Sequence, residues 1–318
     1  MKGPGIASGK RVQTQNRRFV FSRSRLERLK ENNWYKEQST IVYQKILLSG
    51  HAISDKELSF VEKIIKGPLF QSDDTLLTCE TRYYKYSTLG FYAQAKKDYR
   101  LITEYARKTL YLVQNSSGSP YRYITIMKNL CSVLLRLNNF DEVVMRIAEL
   151  KDFASKLDQS KWKGAYHSAV IIAYQLELAL YINSGEFQLI PTIVTEIEEK
   201  MRYFSKTIQM TELTDMKYNI AHGLFIIKNY DKSLKCILDI LNQPSSKVRE
   251  DFFASSQIIF FLIHYEMGNK VVLANLLQNA VSQLKKRTNK FDLAKIFLES
   301  LQQLSKVDDP AKTKNILD

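Results

Sequence analysis

The sequence predicts an all-α fold, an α-solenoid of stacked helical hairpins closed by a C-terminal capping helix. Three observations carry this prediction. Apolar residues recur at helical spacing through most of the chain. Only 11 glycines and 6 prolines interrupt 318 residues, and many of them fall between amphipathic segments. A short turn motif returns five times, at a loose period of about 40–48 residues.

Composition sets the frame. With 45% hydrophobic and 25% charged residues the chain has the balance of a soluble globular protein. It contains no apolar run of the roughly 18 residues needed to span a bilayer, and its basic start lacks the apolar stretch of a signal peptide. The expectation is a cytoplasmic protein without membrane contact. Cys79, Cys131 and Cys236 lie in separate segments, with no CxxC and no metal-type spacing to the four histidines, so they read as reduced core residues.

Residues 1–30 come first and hold nine Lys or Arg against one Glu, which is +8 of the net +14. They read as a basic, flexible arm, with a helical pattern starting near Ser22. Such an arm can contact phosphates or an acidic surface. Residues 31–70 read as N-terminal helices. There "ISDKELSFVEKIIKGP" offers Ser54 as an N-cap with Glu57 three residues on, a capping box, and Gly67-Pro68 as a stop.

Residues 71–305 read as the repeat domain. The five turns are Leu89-Gly90-Phe91-Tyr92, Asn138-Asn139-Phe140-Asp141, Gly185-Glu186-Phe187, Asn229-Tyr230-Asp231 and Met267-Gly268-Asn269-Lys270; aligning Tyr92, Phe140, Phe187, Tyr230 and Lys270 gives spacings of 48, 47, 43 and 40. An apolar segment precedes each turn, as in "TIMKNLCSVLLRL", and another follows, as in "DEVVMRIAELKDFASKL". Gly or Asn supplies the left-handed residue that ends a helix, and Asp141 or Asp231 supplies a carboxylate to the next N-terminus. A lone hairpin cannot bury its apolar face, so successive hairpins stack. "SSGSP" at 116–120 reads as a loop between units. "FDLAKIFLESLQQL" reads as a single capping helix, and 306–318 as a polar tail.

These units resemble the tetratricopeptide repeat. Tyr218, Asn219, Ile220 and Ala221 match its first helix, Asn229-Tyr230-Asp231 its turn, and Ser233 stands at its usual Ala, with Pro244 closing the unit. Leu130, Cys131, Leu134, Phe140 and Val143 fit a second copy, and Ala95 occupies the small site after Gly90. The remaining copies are degenerate: Leu178 and Phe261 replace a small packing residue, and Pro191 opens the second helix of its unit. The last third is similar to the ending of an uncharacterised Bacteroidetes-type group of repeat proteins. The matching positions are Arg249-Glu250-Asp251, "FLIHYEMGN" at 261–269, Leu276-Leu277, Lys286-Arg287 and Phe291.

The resemblance implies a concave groove lined by the first helices. Carried over, its inward positions are Thr81, Tyr84, Lys128, Asn129, Ser132, Gln175, Tyr218, Asn219 and His222. A lining rich in Tyr and Asn suits a protein or extended peptide, because rings give contact area and amides pair with peptide backbone. The paired Lys and Asn positions of a carboxylate clamp are incomplete, since only Lys128, Asn129 and Asn219 lie near them. The chain carries no GxGxxG, P-loop, HExxH or GxSxG motif. His222 and His264 lack a sequence-adjacent partner and read as packing residues. The expectation is a non-catalytic binding scaffold without cofactor or metal. An alternative is a regulatory, nucleic-acid-associated protein whose basic arm holds phosphates, although no helix-turn-helix pattern supports it. An incomplete stack could also form a homodimer through its terminal unit.

Overall fold

The computed structural model describes residues 8–49, 54–116, 118–204, 210–243 and 250–269, with positions 273, 276, 277 and 299. The described residues hold eleven α-helices and no strand, and the helices pack neighbour to neighbour as in an α-solenoid. The chain divides into two compact units, one holding α1–α4 and one holding α5–α11. The single repeat domain expected over 71–305 is therefore split. The division falls at Gly118–Ser119, inside the loop that the sequence marks with "SSGSP".

In the first unit, α1 spans Ser8–Ser49, α2 Asp55–Ile65, α3 Cys79–Ala95 and α4 Tyr99–Gln114. The expected boundary at residue 30 falls inside α1, which begins well before Ser22. Val42 and Ile46 of α1 meet Val61 and Ile65 of α2 in one small core, against which Leu89, Phe91 and Tyr92 of α3 pack. Tyr35, Phe70 and Leu77 form a second core with Trp34 and Tyr84 at its edge. Ser54 and Glu57 make the full capping box at the start of α2. The segment between α2 and α3 is pinned from below by the nearly buried Lys85, whose Nζ donates to the Ser72 carbonyl at 2.7 Å and pairs with Asp74 at 2.8 Å. The Tyr86 hydroxyl bonds to the same Asp74 carboxylate. Burial pushes the Asp74 carboxyl up, but its bonds to Lys85 and Tyr86 outweigh that and leave it below its ordinary value.

The second unit runs through α5 (Pro120–Arg136), α6 (Phe140–Ser155), α7 (Gln159–Ser184), α8 (Ile190–Phe204), α9 (Met210–Ile226), α10 (Tyr230–Leu241) and α11 (Glu250–Glu266). Pro191 stands in the first turn of α8, after a 3-10 turn at Phe187–Leu189. The main core joins Ile171 and Leu178 of α7, Ile190, Ile193, Val194 and Ile197 of α8, and Met216, Ile220 and Leu224 of α9. Close approach of these helices requires Gly223, where a Cβ would meet Leu178 at 3.2 Å and Ile190 at 3.3 Å. Ser233 replaces the usual Ala without loss, because its buried hydroxyl donates to the Ala221 carbonyl at 2.7 Å and ties α10 to α9.

The five turns share one backbone device. Lys97, Asn138, Gly185, Lys228 and Gly268 are the left-handed residues, with φ of 55, 54, 82, 60 and 73°. In each turn the following N–H reaches back five residues: Asp98 to Ala93, Asn139 to Leu134, Glu186 to Tyr181, Asn229 to Leu224 and Asn269 to His264, at 2.8–3.0 Å. This is the 6→1 bond of a Schellman ending. Spacings between the left-handed residues are 41, 47, 43 and 40.

Two expectations are corrected. The first turn is not at Gly90, which lies inside α3 facing the Cβ of Tyr105 on α4; it is at Lys97, and Ala95 is the last residue of α3 rather than the start of a second helix. A Cβ there would lie 3.8 Å from that of Tyr105, an ordinary contact, so the helix accommodates glycine in its interior, which composition alone cannot separate from a helix break. The left-handed residue of the fourth turn is Lys228, not Asn229, which is instead the N-cap of α10. The capping helix expected at 291–304 lies outside the described residues except for Glu299. Also outside them are the tail, Pro244, Arg249, Lys286-Arg287 and Phe291. No helix among the described residues is long and apolar enough to cross a membrane.

Candidate functional site

In the second unit the first helices of successive hairpins contact one another directly: α5 lies on α7, α7 on α9 and α9 on α11. The second helices α6, α8 and α10 each fill the angle behind two of them. This leaves one face made of α5, α7, α9 and α11, and the polar residues of that face form the candidate site.

The helices keep register. The Ser168 hydroxyl of α7 donates to the Glu212 carboxylate of α9 at 2.9 and 3.1 Å. Gly223 of α9 lies against Leu178 and Ile182 of α7. So α7 and α9 run parallel, and Gln175 and Asn219, each seven residues or two turns further on, stand level with each other. Lys128 Nζ of α5 meets Asp215 Oδ2 of α9 at 2.9 Å. That ion pair reaches past α7, which separates the two helices in the stack. Ser132 follows Lys128 by one turn, and its hydroxyl donates to the Lys128 carbonyl at 2.8 Å.

The residues expected from the sequence separate into three kinds. Asn129 and Ser132 are exposed, while Lys128, Asn219 and His222 are half-buried; the first two and Lys128 lie on α5, and Asn219 and His222 on α9. Tyr218 points instead toward α11, with its ring edge-on to Phe252 at 5.5 Å, and burial raises its hydroxyl pKa against the opposing bond to Ser255. His222 stacks beside Tyr218 at 6.4 Å, and burial lowers its pKa. Thr81 and Tyr84 belong to the first unit. Thr81 is fully buried, with its hydroxyl 2.7 Å from that of the N-cap Thr78, and Tyr84 packs at the edge of the Tyr35 core. Thr81 therefore offers no surface to a ligand: its inward register position is spent on capping α3.

Gln175 is 4% exposed, and its Nε2 finds no hydrogen-bond partner among the described residues. Gln175 lies on α7, and the local sequence gives no sign of its burial. Asp215, Glu212 and Ser168 were missed altogether. Their partners lie 87 and 44 residues away, so no local signal marks them.

No group of three or more His, Cys, Asp or Glu side chains that could hold a metal exists among the described residues. His264 leans edge-on against Phe260 at 4.6 Å and meets Asn269 at 3.2 Å, and burial lowers its pKa. Cys131 is buried and its thiol is pushed up to about 12 by burial; half-buried Cys236 is pushed to about 11. Cys79 corrects the expectation of a core thiol, since it is exposed in the first turn of α3.

No family model matches the chain, and no curated protein matches it. Among solved structures the chain is similar to NprR, crystallised in complex with its cognate peptide NprX. The TM-score is 0.54 at 14% identity, covering 97% of this chain and 87% of that one. At that identity the likeness supports a tetratricopeptide-like helical-repeat fold and leaves the Bacteroidetes-type resemblance without support.

Proposed function

We propose that this chain is a non-catalytic scaffold that binds a protein segment or extended peptide on the face formed by α5, α7, α9 and α11. The observation that carries the reading is the continuity of that face. The first helices α5, α7, α9 and α11 contact one another in series, and two of them carry polar groups one helical turn apart that suit this role, Asn129 and Ser132 on α5 and Asn219 and His222 on α9. Such groups can pair with the donors and acceptors of an extended backbone, whose polar groups must all be satisfied when it is covered. NprR, which has a similar fold, was crystallised in complex with its cognate peptide, which agrees with this reading.

Affinity selection on the intact chain from a pool of random octapeptides tests it. The expected result is retention of a subset of peptides, reduced when Asn129, Ser132 and Asn219 are all replaced by Ala. Undiminished retention by that triple variant would place binding elsewhere.

A further inference from the structure

Gln175 poses a problem of chemistry. A side-chain amide more than nine-tenths buried holds a donor with no acceptor among the described residues, and buried donors in folded proteins are almost always paired because leaving one unpaired is expensive. Its place in the fold suggests the missing acceptor. It shares the face of α7 that carries Ser168, it stands level with Asn219, and the Lys128–Asp215 ion pair crosses from α5 to α9 about one turn before it. Both charged groups are partly withdrawn from water, with side-chain exposures of 33% and 14%.

We propose that Gln175 is a recognition residue of the peptide face, donating from Nε2 to a main-chain carbonyl of the bound peptide, and that the Lys128–Asp215 ion pair is the gate that parts to admit it. This rests on the peptide-binding reading above and adds the recognition point and its control. A neutral carbonyl is the acceptor that fits. A carboxylate would have to be buried near Asp215 and Glu212, where like charge opposes it. A gate made of a single ion pair is cheap to open, because the two ends exchange one another for water. Salt screens the pair further. Peptide uptake therefore strengthens with ionic strength, the reverse of binding driven by charge attraction.

The test uses the full chain and random octapeptides with acetylated N-termini and amidated C-termini, so that terminal charges cannot supply affinity. Retention is read by mass spectrometry at about 0.05 M and about 0.5 M salt. The wild type should retain more at the higher salt. Asp215→Asn should retain at least as much at low salt as the wild type does at high salt. Gln175→Met keeps the shape and removes the donor; it should lose about tenfold in retention while its thermal midpoint stays level or rises. Equal retention by wild type and Gln175→Met, or a Gln175→Met midpoint several degrees lower, overturns this inference alone. Retention unaffected by salt and by Asp215→Asn removes the gate. Retention by neither wild type nor Asp215→Asn removes both this inference and the peptide-binding reading.

Discussion

Replacing Lys228 by Gly should stabilise the second unit, although it deletes a side chain and inserts a residue that normally weakens helical proteins. Lys228 is held at φ 60°, in the turn between α9 and α10, and its side chain is exposed. The left-handed region costs a residue with a Cβ about 1–2 kcal/mol. Glycine escapes that cost but surrenders about 0.5–1 kcal/mol of extra chain entropy on folding. The difference favours Lys228→Gly by about 0.5–1 kcal/mol, and Lys97→Gly, at φ 55°, by the same argument in the first unit. Gly185 and Gly268 supply the control. They occupy the equivalent position at φ 82 and 73°, and a Cβ added to either meets nothing within 4 Å. Gly185→Ala therefore changes backbone energy alone and should destabilise by about 1 kcal/mol. Urea denaturation of the three single variants, followed by circular dichroism, gives the differences. If Lys228→Gly and Gly185→Ala shift the midpoint in the same direction, the five turns do not share the backbone device described here.

Other consequences follow from burial and pairing. Burial holds the His222 pKa below 6.5, so the unfolded chain binds protons that the native chain refuses; stability is present above pH 6.5 and falls as pH drops through that value, and His222→Gln should flatten the decline of the thermal midpoint between pH 7 and 5. Of the three thiols, exposed Cys79 should react with a maleimide in the native protein, while Cys131 should react only after denaturant is added. Lys128→Met removes the partner of the Asp215 carboxylate and should destabilise the second unit by no more than about 1 kcal/mol. Combining it with Asp215→Asn should recover part of that loss, and strictly additive single effects would mean that the 2.9 Å pair contributes nothing.

What was legible in the sequence was local. The Ser54–Glu57 capping box, the stop at Gly67-Pro68 and the carboxylates opening α6 and α10 are all encoded within a few residues, and each is where the pattern put it. The hairpin repeat was legible for the same reason, since a turn motif and the helices around it are neighbours in the chain. The errors came where one residue type serves two purposes. Glycine breaks helices, so Gly90 reads as a turn, yet it lies inside α3; lysine seldom adopts positive φ, so nothing in the sequence marks Lys97 and Lys228 as left-handed. The basic residues near the start obscured the length of α1, because a charged run and a solvated helix look alike in composition. The candidate face was legible only as register. Position along a first helix singles out Lys128, Gln175 and Asn219 in the sequence, whereas the Lys128–Asp215 pair, the Ser168–Glu212 bond and the burial of Gln175 arise only when three hairpins are stacked.

The central claim is that a peptide is held on the face of α5, α7, α9 and α11. The most direct measurement is amide hydrogen exchange on the full chain, with and without a saturating octapeptide recovered from the random pool. Added protection is predicted to concentrate in α5, α7 and α9, around Ser132, Gln175 and Asn219, with α6, α8 and α10 changing less. Protection confined to the second helices or to α1–α4 would contradict the claim.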